Sequence, residues 1–196
     1  MLATIESIPA RIDTKLRRMR LELPEPEPDF FAGMELRPSD LSRGQCEEIE
    51  RALGRRLPDD FLQLALTYDL RGLELGGIVF GGETDFSTFL LRQITDPQGT
   101  WGTSARPLDL LLLGASSGYL ILLDCSDGKV MACLRDASLD ERRVVASDFA
   151  KFFRGLATLF LEEEVADPDG FARQLAAATG SEPGADFWLH RVRGFA

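Results

Sequence analysis

Gly114-Ala115-Ser116-Ser117-Gly118 is the stretch whose residue types and spacing come nearest to a catalytic arrangement. It matches the G-x-S-x-G nucleophile elbow and directly follows the apolar run 110–113. Ser116 would be the nucleophile, and Asp124, Asp127 or Asp136 would orient a base. His190, the only histidine, comes later in the chain and completes the hydrolase order of serine, acid, histidine. An elbow works because a strand turns sharply into a helix, setting the hydroxyl at a helix N-terminus that helps stabilise an oxyanion. Here the turn is followed by Tyr119-Leu120-Ile121-Leu122-Leu123-Asp124, which reads as a strand, and no alternating βαβ units surround it. A small-residue turn between antiparallel strands explains the same residues. A small serine hydrolase using Ser116 and His190 therefore stands as an alternative, and His190, beside Trp188, reads as a packing or cap residue.

Other chemistries have less to work with. One histidine excludes HExxH and histidine-rich metal sites, and Gly76-Gly77 and Gly81-Gly82 lack the lysine and Ser/Thr of a phosphate loop. Cys46, Cys125 and Cys133 are odd in number, without a CxxC pair, and read as buried reduced thiols. The acidic run Glu162-Glu163-Glu164 reads as a solvated helix end. The expectation is a non-enzyme with no cofactor and no metal.

Binding is the better-supported use. The 196 residues carry 22 basic and 32 acidic side chains, a net charge of −10, which repels phosphate backbones and suits a basic protein partner. Residues 1–23 differ, with five basic side chains against three acidic ones, a net +2 that leaves −12 elsewhere. That basic run reads as a solvated helix face, too narrow on its apolar side for a membrane or nucleic acid. Binding energy concentrates in a few aromatic anchors ringed by charge. Trp101, in the turn-rich segment 99–104, is the aromatic outside any helical or strand periodicity, with Glu83, Asp85 and Asp136 as a candidate acidic rim.

The elements follow from periodicity. Ile12, Leu16 and Met19 predict a helix over 9–20 with Ser7 as its cap, then prolines at 24, 26 and 28 predict an extended connector. Ser39 or Asp40 starts a second helix with Cys46, Ile49 and Leu53 inward; Gly54 stops it, and Pro58 restarts a third through Phe61, Leu64, Ala65 and Tyr68. Residues 78–80 read as a strand between glycine pairs, and 85–93 as a helix turn or another strand. Runs 110–113, 119–124 and 129–134, joined by short turns, predict an antiparallel meander. Ser147 caps a long helix with Phe149, Phe152, Phe153, Leu156, Leu159 and Phe160 on one face, and two helices follow, over 168–179 and 183–192. The class is α+β, an antiparallel sheet with a strand meander flanked by helices. The composition, 44% hydrophobic and 28% charged, is globular, and no apolar run is long enough to cross a bilayer. Glu6 and Pro9 stand where a signal peptide needs an apolar stretch, so the expected location is cytoplasmic.

Three stretches resemble the SUKH superfamily, which joins fungal cell-wall-assembly regulators and bacterial toxin-immunity proteins. The first carries Glu50, Leu53-Gly54, Leu57-Pro58 and Asp60-Phe61, similar to the family's Glu before Leu-Gly, Leu-Pro and acid-aromatic pair. The second holds Ile121-Leu122-Leu123-Asp124 and Gly128-Lys129-Val130; the third, Val145 onward, is similar to the family's closing helix. In order they span about residues 39–160. Two departures stand out: Asp69-Leu70-Arg71-Gly72 replaces Asn-Gly-Gly after Tyr68, and Tyr119 takes the place of an acid after the turn glycine. The resemblance implies a SUKH-like core over 30–165, with an N-terminal helix and connector over 1–29 and a helical extension over 166–196. It also implies a non-catalytic protein-binding domain, an immunity protein that neutralises a bacterial toxin by binding it, or alternatively an intracellular adaptor or regulator. Glu50, Leu53, Gly54, Leu57, Pro58 and Phe61 read as structural: core side chains, a positive-φ glycine and a helix start.

Overall fold

The computed structural model describes residues 1–23, 31–82, 84–101 and 107–194. Its centre is a six-stranded antiparallel sheet whose strands lie side by side in chain order. They are β1 (Glu74–Leu75), β2 (Ile78–Phe80), β3 (Leu110–Ala115), β4 (Tyr119–Asp124), β5 (Val130–Leu134) and β6 (Arg143–Ala146). Short turns force each strand back against its predecessor, as the meander reading requires. β3 carries a bulge between Leu112 and Gly114. Gly114 is needed there: a Cβ would sit 2.4 Å from the Val79 carbonyl oxygen. Strand β6 is an addition to the sequence reading.

The helices are α1 (Ile8–Glu22), α2 (Arg43–Leu53), α3 (Asp59–Thr67), α4 (Phe86–Thr95), α5 (Pro97–Trp101), α6 (Phe149–Leu161), α7 (Pro168–Thr179) and α8 (Ala185–Arg193). The segment left open as helix or strand is α4. Helix α6 lies across the sheet and buries Phe149, Phe152, Phe153, Leu156, Leu159 and Phe160. None of the helices is long and apolar enough to cross a membrane.

Three caps differ from expectation. Ser7 does not cap α1; its hydroxyl donates to the Thr4 carbonyl instead. Helix α2 starts at Ser42, not Ser39 or Asp40, because Ser42 and Gln45 form a reciprocal capping box. Asp148, not Ser147, caps α6 by accepting from Lys151 N at 2.7 Å, a stronger acceptor one residue further on. The basic face of α1 is also not simply solvated. Lys15 Nζ donates to the Phe160 and Glu162 carbonyls at the end of α6, and Arg18 pairs with Glu163, so the basic helix complements the negative end of another. The connector read over 24–28 lies outside the described residues.

The sheet has two faces of different character. Leu111, Leu113, Ile121, Leu123, Val130 and Ala132 point into the main core beneath the helices. Leu110, Leu122 and Cys133, on the opposite face by strand alternation, form a second, smaller cluster. Its edges are closed by side chains. Where β2 stops short, the buried Gln93 of α4 donates to Leu112 O at 2.8 Å and accepts from Leu112 N at 2.7 Å. One side-chain amide thus replaces a missing strand. On the far edge Ser181 donates to Val144 O and Trp188 Nε1 to Val145 O at 3.1 Å, while Arg191 reaches the turn before β2 through Gly77 O at 3.0 Å.

Candidate functional site

The elbow is a hairpin turn. Ser116 N donates to Tyr119 O at 2.8 Å, and Ser116 Oγ accepts from Tyr119 N at 3.1 Å, so the chain returns directly into β4. The hydroxyl is engaged in closing that turn and no helix N-terminus faces it. His190 does come close: its ring meets Tyr119 edge-on at 5.4 Å, and its Nε2 would lie 3.9 Å from a Cβ on Gly118. Yet no hydrogen bond among the described residues links Ser116 to His190, or His190 to a carboxylate. Asp124 accepts from Ser126 and Asp127 from Lys129 at the other end of β4, each committed to its own turn.

The family-like motif residues hold the fold. Glu50 Oε1 accepts from Leu57 N at 2.9 Å, bracing the α2–α3 corner that Gly54 makes possible at φ 73°. Asp60 accepts from Ala150 N at 2.8 Å, tying α3 to the start of α6. Leu53, Leu57 and Phe61 are buried, with the Phe61 ring edge-on to Phe149 at 5.1 Å. Pro58 abuts the β4–β5 turn at Gly128.

The residues expected to meet a partner separate into two groups. Asp85 is the cap of α4, accepting from Ser87 Oγ at 2.6 Å and Thr88 N at 2.9 Å, and those bonds hold its carboxyl down to about 2. Ser87 in turn accepts from Gln45 of α2, so Asp85 faces the α2–α4 contact. Glu83 lies outside the described residues. Trp101 ends α5 and is half-buried over the outer cluster, in contrast to the open loop expected. Pro97 supplies the first turn that makes those residues helical. The exposed Asp136 immediately precedes Ala137, which packs against the same cluster together with Leu112, Met131 and Leu139. Trp101 and the segment after β5 thus meet on the outer sheet face, and Asp85 does not join them.

That face is the notable surface of the molecule. An antiparallel sheet with one solvated face alternates apolar and polar residues. Here β4 is apolar on both sides, with Ile121 and Leu123 inward and Leu122 outward, and Val79 projects beside them, 45% exposed. Sequence reasoning named Trp101 but not Leu110, Leu112, Leu122, Met131 or Cys133. The available signal was the unbroken apolar run 119–123, which a sheet exposed on one side does not need.

Compared with known protein families, residues 40–155 match the model of the SMI1 / KNR4 family (SUKH-1), more than half of the chain. No curated protein matches the sequence.

Proposed function

The chain belongs to the SMI1 / KNR4 family (SUKH-1), and from that premise we propose that it is a non-catalytic protein-binding domain. Its role is that of a cytoplasmic immunity protein neutralising a bacterial toxin by binding it. The observation that carries the binding reading is the apolar outer face of the sheet, with Trp101 over Leu110, Leu122 and Cys133 and the exposed Asp136 beside it. Apolar surface of this kind on an acidic protein favours association. A net charge of −10 steers a basic partner toward it before contact. An adaptor or regulator would use the same face against another partner, and a gene without a toxin neighbour favours that role.

The test is surface-plasmon kinetics against the toxin domain encoded beside this gene, at two salt concentrations. Asp136→Lys slows association and weakens its salt dependence, whereas Trp101→Ala chiefly speeds dissociation, costing about 2 kcal/mol as a hot-spot aromatic. Asp85→Lys is no clean probe, since it also removes a helix cap. Unchanged kinetics in both folded variants would place the interface elsewhere on the molecule.

A further inference from the structure

Trp101 ends a helix of five residues, too short to hold itself together without packing. Its ring packs against Leu110, Leu122 and Cys133, which are 2%, 0% and 1% exposed and stand apart from the main core. The indole Nε1 is buried and has no hydrogen-bond partner among the described residues. Trp188 offers the contrast, since its Nε1 donates to Val145 O. A buried orphan N–H is a destabilising element that moving into water would relieve. Apolar contact with a small cluster is what keeps Trp101 down. Few buried contacts and an unmet donor are the marks of a segment that opens locally while the rest stays folded.

We propose that α5 is a displaceable cover: the Trp101 indole swings off Leu110, Leu122 and Cys133 with the sheet and helices intact, and a bound partner holds it in the open position. The partner half of this rests on the binding reading above; the opening does not, and is measured without a partner. In the closed state the apolar centre of the face is hidden. Affinity is therefore lowered by the fraction of molecules that are closed, and the free protein shields its own patch from indiscriminate contacts.

Cys133 reports the opening, and Cys46, buried in the main core at 2% exposure, reports global unfolding. The full chain is treated with a maleimide under native conditions and at several urea concentrations below its unfolding transition. Labelling of each cysteine is followed by peptide mass spectrometry. Cys133 is expected to label at least about tenfold faster than Cys46, at a rate nearly independent of urea, as local opening requires. Trp101→Ala should raise the Cys133 rate about tenfold more and leave Cys46 unchanged. Equal rates for the two thiols with a shared urea dependence in the unaltered protein would overturn the proposal without recourse to any variant. So would a Cys133 rate that rises in Leu139→Ala but not in Trp101→Ala, because the cover would then be the segment after β5. Rapid Cys133 labelling in a protein whose partner binding ignores Trp101 would sink the binding reading and leave the cover standing.

Discussion

Asp85 illustrates how one carboxylate is claimed by the fold before it can serve a partner. Bonds from Ser87 and Thr88 hold it down to about 2 from an ordinary 3.8, so its charged form is favoured in the folded state. A carboxyl lowered on folding contributes stability above its unfolded value and loses it as pH falls toward the folded one. Asp85→Ala should therefore cost about 1 kcal/mol at neutral pH by urea denaturation. The difference between variant and parent should shrink between pH 4 and 2. A gap that persists unchanged at pH 2 would mean the carboxylate's charge is irrelevant to the cap. Ser116 makes the complementary case, with its hydroxyl closing a hairpin. A serine-reactive phosphonate should leave the protein unlabelled, and labelling that disappears in Ser116→Ala would establish a hydrolase in place of a binding domain.

Gln93 does the work of a strand from within a helix. Its side-chain amide satisfies both backbone groups of Leu112 on an edge that β2 does not reach. Gln93→Leu strands a buried donor and acceptor together and should cost at least about 2 kcal/mol. Amide exchange at Leu112 should accelerate ahead of its neighbours in β4, and an unchanged exchange rate would count against this bracing. A buried glutamine in α4 had no visible reason in the sequence, because the carbonyl it serves lies 19 positions away. The meander was legible since three apolar runs sat between short turns, and the α2–α3 corner since Gly54 and Pro58 punctuate it. Strand β6 was not: four residues opening with an arginine show no alternation, and its pairing comes from β5 on one side and helix side chains on the other. Helix α4 stayed ambiguous because Phe86, Phe89 and Leu90 fit either period. The outer face was hidden for a related reason, as an apolar residue in a strand does not declare which side it faces.

At the scale of the whole molecule, the segments outside the family match close what the core leaves open. The C-terminal helices seal β6, and Trp188 fits against Gly155 so tightly that a Cβ there would come within 2.6 Å of the indole. Gly155→Ala should overpack this contact and cost about 1–3 kcal/mol in chemical denaturation. Removing residues 166–196 should uncover the β6 edge and produce concentration-dependent self-association in light scattering, since an open edge templates pairing. A stable monomer would show the edge to be harmless. Helix α1 closes the other side, burying Ile8, Ile12 and Leu16 and docking on α6 through Lys15 and Phe160, 145 positions apart. That separation has a consequence for birth of the protein on the ribosome. The strands can pair one after another as they emerge, each finding its neighbour already made. The first helix, though synthesised before everything else, must wait for the sixth. At cellular elongation rates the delay is on the order of ten seconds, during which its apolar stripe has no home and its arginines and lysine keep it in solution.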